Sequence, residues 1–302
     1  MIRRTAARLT LPVTIALALL CVAATKPKQQ QVRRATAVAD ETELAVAYQT
    51  SAVEPGFNSV PKTRAAAALV LDARTGDILY EKNADAPRAA ASTQKLLTAL
   101  IVAEDGFLDQ RVRVETVDTL AEPVRLNIKA GDTYQRIELL RALLVKSPND
   151  VARCLARDNA GSIEFFAEKM NRKARALGAT HSNFVNPNGL PMPDQYSTAR
   201  DLSIIARAAY ANPTIRSIVR LQELVFRYAN GRTRELKNTN KVLKQLPYCN
   251  GMKTGYTEAA GHCLIASGKT PGRDVIVVVL GDSSAGVWRD ASALLSWGLR
   301  RM

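Results

Sequence analysis

The sequence predicts an α+β fold in which a central antiparallel sheet of about five strands is flanked by helices and carries an inserted, mainly helical lobe. Three observations lead to this prediction. Strand-like segments stand at both ends of the folded region, a run of helices separates them, and an amphipathic helix closes the chain. The regular alternation of strand and helix that builds a parallel, doubly wound sheet is missing.

The folded region begins with a hairpin and a helix. Two apolar segments flank the turn Ala73-Arg74-Thr75-Gly76, and this pattern predicts a β-hairpin. The segment "STQKLLTALIVAEDG" (92–106) follows, with apolar residues on nearly every side, so we expect a central, buried helix. Short strand-like pieces come next, "RVRV" (111–114) and "VRLNI" (124–128).

Four helices are predicted in the middle of the chain, because serine and threonine cap helix starts while glycine and proline end them. They are "QRIELLRALLV" (135–145), the helix after Ser147 with Pro148 at its first position, the helix from the N-cap Ser162 to Gly178, and the helix that starts at Ser197 or Thr198 and ends before Pro213.

After Pro213 the pattern changes back to strands. A hairpin is predicted around Asn230-Gly231, followed by the strands "YCNGMKTGY" (248–256), "HCLIASGK" (262–269) and "RDVIVVVLGD" (273–282) and the helix "VWRDASALLSWGLRR" (287–301). We therefore expect a sheet lobe at about 61–95 and 215–302, and a helical lobe at about 96–214.

The N-terminus predicts export. Residues 1–24 combine three arginines with a short apolar stretch, which is typical of a signal peptide, cleaved or retained as an anchor. Residues 25–60 are a polar spacer. The protein is then expected in the periplasm or at the outer face of the cytoplasmic membrane, where any membrane association would run through the N-terminus only and nucleic acid is not a partner.

Composition excludes several kinds of site. The net charge of +14 suits an anionic envelope, although a soluble basic surface explains it equally well. Two histidines argue against a histidine-based metal site, and we expect neither metal nor cofactor. A hairpin turn near Glu258 would set Cys263 opposite Lys253 and leave Cys249 about 13 Å away along the strand, so we expect no disulfide.

Ser92 and Lys95 form the first motif that can carry chemistry. Side chains three residues apart on a helix lie on one face, with about 5–6 Å between their Cβ atoms. A serine in the first helical turn faces the positive end of the helix dipole, and a lysine in a dry site can lose its proton and act as a base. A capping serine beside an exposed lysine explains the same spacing, so the pair alone leaves both interpretations open.

Two further motifs also have structural explanations of their own. Ser147-Pro148-Asn149 reads as a capped helix start, but it can also present a hydroxyl and an amide to Ser92. Lys253-Thr254-Gly255 at the end of a strand can provide a cation and a hydroxyl for a terminal carboxylate, with a glycine that lets a ligand backbone approach.

The three motifs occur in the order S-x-x-K, S-x-N and K-T-G, each in the expected context of helix start, inter-helix loop and strand. In this respect the chain resembles the low-molecular-mass penicillin-binding proteins that are serine-type D-alanyl-D-alanine carboxypeptidases. The resemblance runs from about Ala65 to the last helix and implies a β-lactamase/transpeptidase-like fold for residues 61–302. Supporting phrases are "LDARTGDILYEKNAD", "LLVKSPNDVA", "LGATHSNFVNPNGL", "YSTARDL", "LKNTN" and "GMKTGYTEAAGHCLIASG".

The resemblance implies catalytic roles for four residues. Ser92 would be the acylated nucleophile and Lys95 its general base. Ser147 would relay a proton to the leaving D-alanine, and Asn149 would position the substrate. Such enzymes act on peptidoglycan stem peptides, are inhibited by β-lactam antibiotics, and need no cofactor.

The resemblance also implies a substrate-binding strand. Lys253 and Thr254 would bind the terminal carboxylate, and Gly255 would let the substrate backbone approach. The backbone N–H groups of Ser92 and Tyr256 would form the oxyanion hole.

This chain departs from its relatives at three points. Pro148 stands where they usually have glycine or alanine. The arginine that some of them carry upstream of K-T-G is missing from "NTNKVL". We also expect no C-terminal β-rich domain of the kind that many relatives carry.

Four other functions were weighed. A D-alanyl endopeptidase that cuts peptidoglycan cross-links would show the same motifs, so it remains the alternative. A class A β-lactamase needs a glutamate about 35 residues after S-x-N, and none occurs between Glu168 and Glu223. A trypsin-like site at His262 and Ser283 is rejected, because both lie in one predicted strand meander. A catalytically inactive wall-binding protein is disfavoured, since every motif residue is intact.

Overall fold

A five-stranded antiparallel sheet forms the centre of the structure, a computed structural model that describes residues 59–301. Its strand order is β2-β1-β9-β8-β7, which confirms the predicted α+β class. The predicted signal peptide (1–24) and nearly all of the spacer (25–60) lie outside the described residues. The sheet strands are β1 (Ala67–Asp72), β2 (Ile78–Lys82), β7 (Cys249–Thr257), β8 (Gly261–Thr270) and β9 (Arg273–Asp282).

Two separate two-stranded antiparallel sheets and a set of helices complete the described chain. The first sheet pairs β3 (Arg111–Arg113) with β4 (Thr133–Gln135), and the second is a hairpin of β5 (Glu223–Arg227) and β6 (Thr233–Lys237). The helices are α1 (Lys95–Glu104), α2 (Thr116–Thr119), α3 (Arg136–Lys146), α4 (Asn149–Ala160), α5 (Ile163–Leu177), α6 (Ala199–Ala211), α7 (Pro213–Val219), α8 (Val242–Gln245) and α9 (Gly286–Arg300).

Apolar cores cover both faces of the sheet. All six residues of β1 are buried, and they alternate between the two faces. Leu69 and Val278 face the core that contains α1 and the other middle helices, whereas Val70 and Val277 face α9. Burial on both faces explains why β1, β8 and β9 read as nearly continuous apolar runs.

The predicted strand "VRLNI" (124–128) is wrong. The backbone N–H groups of Leu126, Asn127 and Ile128 donate to the buried carboxylate of Asp150, at 2.9, 2.7 and 3.3 Å, instead of to a neighbouring strand. The segment is therefore an irregular loop, and β4 takes the place beside β3.

Most helix boundaries follow the capping pattern. Ser162 accepts from the N–H of Phe165 at 3.1 Å, and α5 ends at Gly178, as predicted. Thr198 rather than Ser197 caps α6, because its hydroxyl accepts from the Asp201 N–H at 3.0 Å.

Two helix predictions were wrong. Ser147 does not cap α4: it ends α3 in a left-handed conformation (φ 67°), and Pro148 is the residue that precedes the first turn of α4. An extra helix, α7, stands where strands were expected directly after Pro213. The Asn212 side chain caps it, and Pro213 occupies its first turn.

The three cysteines within the described residues, Cys154, Cys249 and Cys263, are free and buried. The predicted hairpin register is corrected by two residues, because the β7–β8 turn is centred on Ala259 and pairs Cys263 with Gly255. Across residues 59–301, none of the helices is both apolar and long enough to cross a bilayer.

Candidate active site

Ser92 lies in a 3₁₀ turn (Ala91–Gln94) that leads directly into α1. The regular helix thus begins at Lys95, one turn later than the sequence predicts. The Ser92 hydroxyl donates to the carbonyl of Asn188 at 3.3 Å, which ties the turn to a distant loop. The Thr93 hydroxyl donates to the carbonyl of Ala90 at 2.6 Å, just before the turn. The hydroxyl of Ser92 consequently stands at the edge of the sheet, with Lys95 behind it.

Lys95 is completely buried. Its Nζ donates to Ser92 Oγ at 2.8 Å and to Asn149 Oδ1 at 2.6 Å. Burial lowers the pKa of Lys95 well below its usual value, and the nearby Lys253 ammonium lowers it further, while the Asp150 carboxylate opposes the shift. Of the two sequence interpretations, the exposed lysine beside a capping serine is therefore excluded.

Ser147 and Asn149 bracket the junction between α3 and α4 and face the same cleft. Asn149 is oriented by its own amide, which donates to the carbonyls of Glu122 and Pro123 at 3.1 and 3.0 Å and leaves its oxygen for Lys95. The Ser147 hydroxyl is buried and has no hydrogen-bond partner within the described part of the chain. A buried hydroxyl without a partner is costly, which is typical of a group that awaits a ligand or a proton.

Lys253 and Thr254 come from the edge strand β7. Lys253 is only 1% exposed, its Nζ donates to the carbonyl of Thr254 at 2.9 Å, and burial lowers its pKa to about 7. The Thr254 hydroxyl donates to the hydroxyl of Thr239 at 2.6 Å. These groups form a polar end to the cleft.

Gly255 explains how closely β7 approaches the nucleophile turn. A β carbon at this position would lie 2.8 Å from the Ser92 nitrogen and 3.0 Å from the Thr93 nitrogen, so only glycine fits. The next residue, Tyr256, is 57% exposed and stacks its ring on His262 at 4.4 Å between centroids. The backbone of β7 at Gly255 therefore faces Ser92, while the Tyr256 ring faces solvent.

The cleft formed by these elements has a volume of about 330 Å³. Six of the eight sequence-predicted site residues line it, and Lys95 and Lys253 stand directly behind them. The six are Ser92, Ser147, Asn149, Thr254, Gly255 and Tyr256. All eight thus come together around one cleft.

Gly189 and Thr239, which the sequence motifs did not single out, complete the cleft. Gly189 has a left-handed conformation (φ +84°), and a β carbon there would lie 2.0 Å from the Ala91 carbonyl oxygen, so this glycine lets the loop pass against the nucleophile turn. Its phrase, "NPNGL", enters the sequence analysis only as the end of the supporting phrase "LGATHSNFVNPNGL". Thr239 was noted only as part of a stretch without arginine. Contacts between distant segments decide both roles, and local sequence patterns do not encode them.

His262 and Ser283, which were rejected as a trypsin-like site, make other contacts in the structure. Ser283 accepts from the N–H of Gly286 at 3.0 Å at the start of α9, and His262 stacks on Tyr256. Within residues 59–301, no cluster of three or more histidine, cysteine, aspartate or glutamate side chains could hold a metal ion.

Comparison with known proteins agrees with this arrangement. The family model for D-alanyl-D-alanine carboxypeptidase, peptidase S11, matches residues 54–284. The chain therefore belongs to the D-alanyl-D-alanine carboxypeptidase family of serine-type hydrolases.

Three relatives illustrate the similarity. D-alanyl-D-alanine carboxypeptidase DacF of Bacillus subtilis is 33% identical over 73% of this chain, which spans 58% of DacF. A D-alanyl-D-alanine endopeptidase of Escherichia coli is 30% identical over 79% of this chain and 78% of its own length. The crystal structure of D-alanyl-D-alanine carboxypeptidase from Mycobacterium tuberculosis H37Rv is similar, with a TM-score of 0.77, 33% identity, and coverage of 82% of this chain and 96% of that one.

Proposed function

We propose that this protein removes the terminal D-alanine from peptidoglycan stem peptides through an acyl-enzyme on Ser92. The observation that carries the proposal is the 2.8 Å contact between the Ser92 hydroxyl and the fully buried amine of Lys95. A lysine whose pKa is lowered by burial has a larger neutral fraction than an exposed lysine, and its neutral amine can accept a proton. Family membership supplies the substrate class.

Acylation begins with proton transfer from Ser92 Oγ to the neutral Nζ of Lys95. The oxygen then attacks the carbonyl carbon of the penultimate D-alanine, forming a new C–O bond. Asn149 supports this step, because its amide oxygen accepts a second Lys95 N–H and fixes the amine in place. Developing negative charge on the carbonyl oxygen is bound by the backbone N–H groups of Ser92 and Tyr256, a type of contact that lowers the barrier by about 3–4 kcal/mol.

Departure of D-alanine requires a proton on its amine nitrogen. The unpaired Ser147 hydroxyl is suited to carry that proton from Lys95 while the C–N bond breaks. Lys253 and Thr254 hold the carboxylate of the leaving residue. Water then attacks the ester carbonyl and gives a proton to Lys95. The bond between the carbonyl carbon and Ser92 Oγ breaks, Lys95 passes the proton to Oγ, and the shortened peptide leaves as the carboxylic acid.

β-Lactam antibiotics would acylate Ser92 by the same route. Their ring amide takes the place of the peptide bond, but the broken C–N bond leaves the amine attached to the acyl group. The leaving group therefore stays in the cleft and hinders water. Inhibition by penicillins is expected for this reason.

Export remains part of the proposal. The predicted signal peptide at 1–24 would deliver the domain to the periplasm or to the outer face of the cytoplasmic membrane, where peptidoglycan is found. A basic chain, with a net charge of +14, suits that anionic surrounding.

The alternative is a D-alanyl endopeptidase, which the similarity to the E. coli endopeptidase favours. The two activities are distinguished by incubating the purified chain with a stem pentapeptide and with a cross-linked dimer of stem peptides. Release of free D-alanine from the pentapeptide at the higher kcat/KM supports the carboxypeptidase. Faster cleavage of the dimer supports the endopeptidase activity instead. If neither substrate is cleaved, both proposed activities are contradicted.

A further inference from the structure

Exposed cations without a carboxylate partner are grouped beside the cleft. Two of them lie in and directly after the 124–128 loop, and two lie on the β5–β6 hairpin. Together they form a basic surface, which consists of Arg125, Lys129, Arg232 and Arg234. Within residues 59–301, none of the four forms an ion pair. Unpaired charges of one sign on one surface favour an anionic partner.

The hairpin is fixed against the loop that forms one wall of the cleft. The Tyr228 hydroxyl donates to the carbonyl of Leu126 at 2.8 Å, and the Ala229 N–H donates to the hydroxyl of Tyr134 at 3.4 Å. Val124, two residues before Leu126, lines the cleft itself. A chain that lies on the basic surface can therefore continue into the cleft.

Arg232 is held in place by an aromatic ring. Its guanidinium lies over the ring of Tyr228, 4.8 Å from the centroid, and its carbonyl accepts from the Tyr228 N–H at 2.8 Å. Arg234 stands on the same face of the hairpin, since it pairs with Phe226 and directly opposite side chains share a face. A guanidinium over a ring keeps its N–H groups for a carboxylate, which it binds in a bidentate way.

The carboxylates of the protein near this surface are already engaged. Asp132 accepts from the backbone N–H of Lys129 at 3.2 Å, and Glu235, on the opposite face of the hairpin, pairs with Lys237 at 3.3 Å. The exposed Val225 stands opposite Glu235, so it also lies on that other face. The basic surface thus offers charge without an apolar anchor, which suits an anionic chain in water better than a bilayer.

We propose that the basic surface binds the carboxylates of a neighbouring stem peptide on the same peptidoglycan strand, while Ser92 acts on the stem peptide in the cleft. Stem peptides repeat along the glycan, so a strand that enters the cleft presents further carboxylates beside it. Single exposed ion pairs are weak, but several on one polymer act together. This inference rests on the proposed function, since it takes peptidoglycan as the polymer that the cleft receives.

The test measures co-sedimentation of the purified chain with insoluble peptidoglycan from which attached phosphate polymers have been removed. Arg232→Gln/Arg234→Gln should bind about fivefold more weakly than the wild type at low ionic strength, and this difference should vanish at high salt. Amidation of the peptidoglycan carboxylates should remove the same difference. Acylation of Ser92 by benzylpenicillin should stay within about twofold, because neither arginine lines the cleft.

Arg216→Gln/Arg220→Gln is the matched control at α7. Both arginines are exposed, and the Arg216 guanidinium lies 5.7 Å from the centroid of the Tyr210 ring. The control therefore loses the same charge and the same kind of ring contact, but away from the basic surface, and it should bind peptidoglycan like the wild type. Arg232→Lys/Arg234→Lys keeps the charge and should recover most of the binding.

The same comparison is made with peptidoglycan that retains its phosphate polymers and with vesicles of anionic phospholipid. A loss seen only with the retained polymers identifies phosphate as the ligand, and a loss seen only with vesicles identifies a membrane. Equal losses in the two glutamine variants mean that net charge alone drives binding, and unchanged binding means that the basic surface does not contact the polymer. Each of these four results overturns the inference and leaves the proposed function intact.

Failure of the proposed function is recognised separately. Wild-type protein that penicillin does not acylate and that cleaves no stem peptide overturns the proposed function. Co-sedimentation needs no turnover, so the ratio of wild-type to variant binding still decides whether the basic surface holds the polymer.

Discussion

The amine of Lys95 lies 2.8 Å from the hydroxyl of Ser92, and no part of the lysine is exposed to solvent. A charged ammonium in that position would lose its hydration without gaining a counter-ion at contact distance. Burial therefore favours the neutral amine and lowers the pKa of Lys95, which is the property that a base for a serine hydroxyl requires.

Asn149→Asp should shift the acid limb of the pH–rate profile for acylation to higher pH. A carboxylate 2.6 Å from Nζ would favour the ammonium form and raise the pKa of Lys95, so a higher pH is needed to produce the neutral base. The measurement is the rate of acylation by benzylpenicillin as a function of pH. Asn149→Ala also loses the amide contacts but adds no charge, and its limb should not move upward. An acid limb that stays in place in Asn149→Asp would argue against Lys95 as the base.

Gly189→Ala should disturb the nucleophile turn, whereas Gly231→Ala should not. The two glycines have nearly the same φ, +84° and +83°, but a β carbon meets the Ala91 carbonyl at 2.0 Å only at position 189, and nothing within 4 Å at position 231. Left-handed strain alone costs about 1–2 kcal/mol in both variants. Thermal unfolding and penicillin acylation should show an additional loss of stability and at least a tenfold slower acylation for Gly189→Ala. Equal behaviour of the two variants would contradict the close approach of the Gly189 loop to the nucleophile turn.

Asp150→Ala should loosen the loop at 124–128, one wall of the cleft. The buried carboxylate accepts from three consecutive backbone N–H groups of this loop, and each buried donor left without an acceptor costs about 1–3 kcal/mol. We expect the free energy of unfolding in urea to fall by about 3 kcal/mol or more. Asp109→Ala, at an exposed aspartate, is the control and should change it by less than about 0.5 kcal/mol. A similar loss of unfolding free energy in both variants would contradict this role of Asp150.

Lys253 should make folding less stable near neutral pH than at alkaline pH. Its pKa is about 7 in the folded protein but about 10.4 in an unfolded chain, so between these values the unfolded state binds more protons. The contribution of this group to stability therefore rises with pH from about 7 to about 10.4. The free energy of unfolding of Lys253→Met minus that of the wild type should be largest near pH 7 and shrink toward pH 10. A difference that is constant over this range would mean that Lys253 titrates normally.

Much of the fold follows from patterns that are local in the chain. The hairpin at Ala73-Arg74-Thr75-Gly76, the cap at Ser162 and the order of strands, helices and strands were all predicted, because turn chemistry, capping and apolar runs act over a few residues. The three-residue spacing of Ser92 and Lys95 is local in the same way, because it predicts that both side chains lie on one face of a helical turn.

The errors occur where a distant group overrides the local pattern. "VRLNI" has strand composition, but the carboxylate of Asp150, more than 20 residues later, takes its N–H groups. Ser147 has the composition of a helix cap, but it is fixed in a left-handed conformation between two packed helices. Gly189 and Thr239 were overlooked for the same reason, since each acquires its role only when the chain brings it to Ser92 or Thr254.

The acylation of Ser92 tests the central claim most directly. The chain is incubated with a fluorescent penicillin, digested, and analysed by mass spectrometry, with Ser92→Ala as the comparison. We predict one adduct per chain on the peptide that contains Ser92, and no covalent label on a folded Ser92→Ala variant. A label that survives the Ser92→Ala change, or an adduct on another residue, would contradict the assignment of Ser92 as the nucleophile.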